Sequence, residues 1–150
     1  MTTRRAFAQE DNDLQTASVA TSRNRQYTDI DLTFTAKAVS GEIFKKTDAA
    51  AVKQAIKTIL LTNRLEKPFA PDFGANMVSL LFEHAYEDTV SPYAIEQIKT
   101  NIETYEPRAE ILDITVNALP DNNSISITVL FKVVNTEEIV EFSTTLSRLR

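Results

Sequence analysis

From Ser124 to Val133 every second residue is apolar: Ile125, Ile127, Val129, Phe131 and Val133. That is the period of a β-strand, whose successive side chains point to opposite faces. A strand of this kind must bury its apolar face, so the rest of the chain has to supply a cover. The same alternation recurs on either side. Leu112, Ile114 and Val116 alternate with Asp113, Thr115 and Asn117 upstream, and Val140, Phe142 and Leu146 line one face of a last strand. Pro120-Asp121-Asn122-Asn123 and Asn135-Thr136 read as the turns between them. The last third is therefore expected to be a three-stranded antiparallel meander with one apolar face.

The middle of the chain changes period and supplies the cover. Val52, Ile56, Ile59 and Leu60 fall at helical spacing, with Lys53 and Lys57 on the opposite face. The spacing predicts a helix over about 48–62, with Asp48 as its N-cap. A second helix over roughly 75–87 would bury Met77, Leu80 and Leu81, with His84 or Ala85 beside them. Ser91-Pro92 reads as an N-cap followed by proline at the first helical position. Ile95, Ile98 and Ile102 then mark a third helix, about 92–104, which stops at Glu106-Pro107 because proline disfavours helix in the residue before it. Upstream, Ile30, Leu32 and Phe34 alternate and predict a short strand or extended segment. The expected class is α+β: about three helices packed on a C-terminal three-stranded antiparallel sheet, with an extended N-terminal arm.

The 150 residues make one ordinary domain, and 43% apolar content supports a single core. Residues 1–26 form the arm, flexible or partner-bound, since Phe7, Leu14 and Val19 are too scattered to offset the entropy of ordering it. Residues 27–150 form the domain, with residues 111–147 as its C-terminal strands. The arm's two leading arginines have no apolar stretch behind them, unlike a secretory signal. No apolar run is long enough to cross a bilayer, so no membrane partner is expected. The net charge is −5, divided into +1 on the arm and −6 on the remainder. An acidic body repels phosphate backbones, which argues against nucleic acid as a partner.

Catalytic chemistry has little to work with. There is no cysteine, so disulfides, thiolate ligands and thiol nucleophiles are excluded. The one histidine, His84, lies in a predicted helix and cannot make a triad or histidine cluster alone. Two glycines, Gly41 and Gly74, do not make a phosphate-cradling loop. No metal, cofactor or catalytic residue is assigned. Carboxylates are what remains. Glu83, Glu87 and Asp88 cluster at a helix end, and Glu103, Glu106 and Glu110 flank Pro107. A glycosidase needs two acids about 5–9 Å apart in a cleft. These read better as solvated acidic faces, and a peptidoglycan hydrolase stands as the alternative function.

Three segments read as candidates for contact. In Lys67-Pro68-Phe69-Ala70-Pro71-Asp72-Phe73-Gly74, the prolines fix the backbone, Phe69 and Phe73 anchor the loop, and Asp72 caps the next helix. A direct binding role is the second reading there. In Glu106-Pro107-Arg108, proline aims its neighbours and Arg108 offers a planar fork. That fork suits a partner's carboxylate or carbonyls, or equally an ion pair within the chain. The last strand, with Glu138, Val140, Phe142, Thr144 and Leu146, could accept a strand from another chain if it lies at the sheet edge. The other reading is an ordinary charged edge.

The order of segments resembles a known family. Tyr27-Thr28-Asp29-Ile30-Asp31-Leu32-Thr33-Phe34, Gly41-Glu42-Ile43, Ala51-Val52-Lys53-Gln54-Ala55-Ile56, Leu60-Leu61-Thr62-Asn63, Lys67-Pro68-Phe69 to Phe73-Gly74 and Glu106-Pro107-Arg108 look like the baseplate wedge proteins of contractile-tailed, T4-like phages. That family includes the type VI secretion baseplate component and carries an old "lysozyme-like" label. The resemblance implies a structural subunit, not an enzyme, in the virion's tail baseplate, assembled in the host cytoplasm. It implies other wedge subunits as partners, met through Glu106, Pro107 and Arg108. The tail sheath protein would meet the C-terminal strands as a platform for polymerisation, with the tail tube or hub as a further contact. This chain departs from the family where a Pro-Gly turn often precedes Glu-Arg-Pro-Phe: it has Arg64-Leu65 and then Glu66-Lys67-Pro68-Phe69. Leu65 lacks glycine's freedom, and Lys67 lacks a bidentate fork.

Overall fold

The structure is a computed structural model that describes residues 26–81, 87–119 and 123–147, without the side chains of 87–91. Residues 1–25 of the arm, and His84, lie outside the described residues. Among the described residues, three helices and two antiparallel sheets follow in chain order. β1 (Thr28–Ile30) pairs with β2 (Lys45–Thr47). α1 (Asp48–Leu61), α2 (Met77–Leu80) and α3 (Glu87–Tyr105) come next. β3 (Ala109–Leu119), β4 (Ser124–Val133) and β5 (Ile139–Ser147) form a three-stranded meander with β4 in the centre. The α+β expectation is met.

The core lies between one face of this meander and the helices. Ile125, Ile127, Val129, Phe131 and Val133 of β4 are buried, as their alternation requires. Ile114 and Val116 from β3 and Phe142 from β5 join them. From the other side come Val52, Ile56 and Leu60 of α1 and Ala94, Ile98 and Ile102 of α3. Each fully buried aliphatic side chain contributes on the order of 2 kcal/mol.

Several local expectations are corrected. Leu112 does not share the inward face with Ile114. The register slips between Ile111 and Asp113, and this bulge turns Leu112 to solvent while Ala109 and Ile111 face the core. Extended structure at Ile30, Leu32 and Phe34 ends at Ile30. Asp31 instead makes a turn, its carboxylate accepting from Thr33 N–H at 3.0 Å, and Leu32 and Phe34 are exposed. Asp48 does not cap α1. It adopts φ 44°, a region aspartate tolerates, and its Oδ1 accepts from Tyr27 N–H at 3.0 Å, tying β1 to the helix start.

Ser91-Pro92 is not a helix start either, because α3 already begins at Glu87 and carries Pro92 inside it. Of the second predicted helix, Met77–Leu80 is present, and residues 82–86 lie outside the described residues. Its N-cap position is held by Asn76, not Asp72. The Asn76 amide donates to Ser79 Oγ at 2.8 Å.

Candidate docking site

The Glu-Pro-Arg segment is a rigid corner between α3 and β3. α3 stops at Tyr105, and Ala109 N–H closes a turn on Glu106 O at 3.1 Å, with Pro107 at the second position. Glu106 is 3% exposed. Both its oxygens are taken by Arg108, through Nε at 2.6 Å and Nη2 at 2.7 Å. Arg108 Nη1 reaches Asp29 of β1 at 3.1 Å, and the guanidinium stacks 5.4 Å from the Tyr27 ring. The Glu106 carboxylate, followed by Asp29, holds the guanidinium proton even more firmly than usual. Thus Arg108 is spent largely inside the chain. Pro107 is exposed and Arg108 half-buried, so these two meet the surrounding solvent.

The proline loop after α1 is folded back on that helix. Ala75 N–H donates to Ile59 O at 3.1 Å and Leu65 N–H to Pro71 O at 2.9 Å. Gly74, at φ 105°, passes so close to the Thr62 carbonyl that a β-carbon would strike it. Phe73 anchors the loop edge-to-face on Tyr105 at 5.0 Å, under Lys67 Nζ at 3.9 Å. Phe69 does not anchor it: at φ 66° its ring is fully exposed, like Pro68, Pro71 and Asp72 around it. Leu65 also takes φ 66°, so the turn exists without glycine. Arg64 ties the loop to α3 through Gln97 at 2.9 Å.

β5 lies at the sheet edge, and among the described residues it pairs only with β4. The parity of its free groups follows from three observations. Val133 N–H donates to Glu138 O at 2.9 Å, and Glu137 N–H to Val133 O at 2.8 Å. Odd-numbered β4 residues therefore point their main chain at β5, and their partners Val140, Phe142, Thr144 and Leu146 are bonded to β4. Val134 N–H turns the other way, to Arg108 O. Finally, the Glu141 carbonyl faces outward, where Lys53 Nζ donates to it at 3.0 Å. Outward main-chain groups thus belong to Ile139, Glu141, Ser143, Thr145 and Ser147. Val140, Phe142 and Leu146 turn their side chains to the core side, with Thr144 on the same face.

Beside this edge runs an open groove of about 610 Å³. Leu32, Ala50, Leu61 and Phe142 give it apolar walls, and Lys46, Lys53 and Lys57 line it with charge. Sequence reasoning placed Lys53 and Lys57 on the solvent face of α1 and missed that groove. Their like charge four residues apart on one face was the available signal. It also missed β2 and Asp29 as the second acidic partner of Arg108, both of which depend on contacts distant in sequence. Glu103 and Glu110 are exposed while Glu106 is buried, and among the described residues no group of three potential metal ligands is assembled.

The sequence profile of "Baseplate wedge protein gp25" matches residues 46–138, from β2 through the three helices, the Glu-Pro-Arg corner, β3 and β4. The chain belongs to the baseplate wedge protein gp25 family. The gp25 baseplate wedge protein of Enterobacteria phage T4 is 25% identical over 122 residues, covering 79% of this chain and 88% of the relative. Two solved structures share the fold. One is a Geobacter sulfurreducens protein described as a candidate tail lysozyme, with TM-score 0.58, 21% identity, 66% of this chain and 89% of that one. The other is a chain in the baseplate of the anti-feeding prophage, with TM-score 0.56, 15% identity, 80% of this chain and 84% of that one. Membership of the gp25 family makes the chain a structural component of a phage tail baseplate, among other baseplate subunits.

Proposed function

We propose that this gp25-family chain is a wedge subunit that starts the contractile sheath. Its β5 edge provides the first strand on which sheath protein adds. The observation that carries this is the contrast between the two outer strands of the meander. β3 is broken by the bulge at Leu112, a device of protected edges. β5 pairs with β4 in unbroken register over nine residues and exposes alternate N–H and C=O groups. An incoming strand would satisfy those groups, main-chain bonds giving affinity and the register giving order.

Docking on the larger wedge subunits uses the Glu106–Arg108 corner. Its exposed part is Pro107 and the outer edge of Arg108, and Glu106 acts behind them as the clasp that keeps the corner rigid. The side chains of Glu138, Val140, Phe142, Thr144 and Leu146 then serve the strand platform from the β5 side. Assembly takes place in the host cytoplasm, and the tail tube or hub is a further neighbour. A hydrolytic role is disfavoured because Glu106, the buried acid of the Pro107 cluster, is held in a two-oxygen clasp.

The test is Ser143→Pro in particles assembled with the full set of baseplate proteins. Proline removes the outward N–H of Ser143 and no β4–β5 hydrogen bond, and edge strands tolerate it. Baseplates should form normally and carry no sheath in electron micrographs. Full-length sheaths on these baseplates would remove the platform role. Wall-digesting activity that survives purification and disappears in Glu106→Gln would replace the structural role with an enzymatic one.

A further inference from the structure

The groove beside β5 says what kind of strand belongs there, on the reading that β5 accepts one. A strand added to the edge would lie about 4.8 Å outward, with alternate side chains on the same side as Phe142. Those side chains would enter the groove between β5 and α1. Its walls there are Leu61, Phe142 and the stems of Lys53 and Lys57. Lys46 is already matched, by Asp31 at 3.3 Å. Among the described residues, no hydrogen bond or ion pair holds the Lys57 ammonium. Lys53 is held by the Glu141 carbonyl at 3.0 Å and lies 5.9 Å from the Phe142 ring.

Two lysines four apart on one helix face repel each other. They do so beside an edge that no other strand pairs among the described residues, in a chain whose net charge is −5. A helix advances about 6 Å over four residues. A strand advances about 6.7 Å over two. The rise along α1 from Lys53 to Lys57 is therefore close to the distance between two successive same-side residues of a strand. We infer that the strand accepted by β5 carries two carboxylates, at positions i and i+2 on its α1-facing side, flanked by apolar residues. Lys53 has a second part in this. It occupies the Glu141 carbonyl while the edge is free, which blunts pairing with the wrong chain. The incoming N–H takes that carbonyl, and Lys53 turns to a carboxylate.

The probe is a nine-residue peptide with threonine at odd positions and valine, glutamate, glutamate, valine at the even ones. Its two controls replace both glutamates by glutamine or by lysine. Binding to the full chain is read by calorimetry, and occupancy of the edge by hydrogen exchange at the Glu141, Ser143 and Thr145 amides. The glutamate peptide should bind about tenfold more tightly than the glutamine peptide at low salt. The preference should shrink to about twofold or less at roughly 0.5 M salt. It should also vanish in the Lys53→Gln, Lys57→Gln double variant, whose exposed substitutions leave the core alone.

Equal protection of the β5 amides by all three peptides overturns the inference and leaves the edge reading standing. Charge-dependent binding without protection of those amides, or no binding of any peptide, overturns both.

Discussion

The Arg108 guanidinium closes on Glu106 two residues away with two hydrogen bonds, 2.6 and 2.7 Å long, and its third reaches Asp29 across 79 residues of sequence. The corner is thereby a clasp between the helix–sheet junction and the N-terminal hairpin. Removing the Arg108 side chain leaves a buried carboxylate with only the backbone N–H of residue 108, at 3.4 Å, as a partner. Arg108→Ala should lower stability by about 3 kcal/mol, the low end for breaking a buried pair, since Arg108 is partly exposed. Glu106→Gln in that background should restore about half of the loss, because a neutral amide is less costly to bury. Urea unfolding of the two single variants and the double variant checks both values. An assembly defect of Arg108→Ala alone is therefore no measure of docking, whereas exposed Pro107→Ala is the cleaner probe.

Gly74 should tolerate no side chain. A methyl group there meets the Thr62 carbonyl oxygen, which belongs to backbone and cannot swing aside, and φ 105° is a strained region for any L-residue. Gly74→Ala should lose about 3 kcal/mol. Gly41→Ala has an open surrounding and pays only for its φ of 69°, so about 1 kcal/mol is expected. Thermal denaturation of the pair separates steric contact from backbone strain.

Leu65 poses the opposite case. It is 81% exposed and sits at φ 66°, so its side chain packs on little while its backbone is strained. Leu65→Gly relieves about 1–2 kcal/mol of left-handed strain. It also adds about 0.5–1 kcal/mol of unfolded-chain entropy. The net should be a stabilisation of about 0.5 kcal/mol, small but opposite in sign to a typical glycine substitution. A lower denaturation midpoint in this variant would show that Leu65 has contacts of its own.

Asp31 gives a pH dependence. The Thr33 backbone N–H, and after it Lys46, hold its carboxyl below the ordinary 3.8. A lowered folded-state value means stabilisation that is present above the unfolded value and fades as pH falls through the folded one. Asp31→Asn keeps the turn acceptor and loses the charge. The native chain should melt higher than this variant at neutral pH, and the gap should close in acid below about pH 3.8. A gap that is the same at neutral and acid pH would assign the effect to shape and not to charge.

The meander was legible because period-two runs such as Ile125 to Val133 have few other uses, and α1 because Val52, Ile56 and Leu60 repeat with so clear a stripe. What failed was local chemistry decided by distant contacts. Asp48 looked like a cap and was recruited by Tyr27, 21 residues upstream. Leu112 continued an alternation that a bulge interrupts, and no residue type in that stretch announces one. Phe69 looked like an anchor because aromatic rings usually bury. Here Phe73 alone finds a partner, Tyr105, at the end of another helix. At the candidate site, the Glu-Pro-Arg order was readable, but an internal and an external ion pair stood as equal alternatives. Only the fold brings Asp29 and Glu106 to Arg108 together.

The alternation along β5 leads to a prediction at single-residue resolution. Val140, Phe142, Thr144 and Leu146 direct their N–H groups to β4, opposite Phe131, Val129, Ile127 and Ile125. Glu141, Ser143 and Thr145 direct theirs outward. In the isolated chain the first set should exchange slowly, and the second faster by about tenfold or more, since an open edge gives no protection. Adding sheath protein should slow the second set and leave the first unchanged. Proline should discriminate in the same way. Ser143→Pro and Thr145→Pro lose only an outward donor. Thr144→Pro breaks a ladder bond and should unfold the β5 end at a loss of about 3 kcal/mol. If Ser143 and Thr145 are already as slow as Phe142 before any partner is added, the chain covers its own edge, and sheath protein has no strand to join.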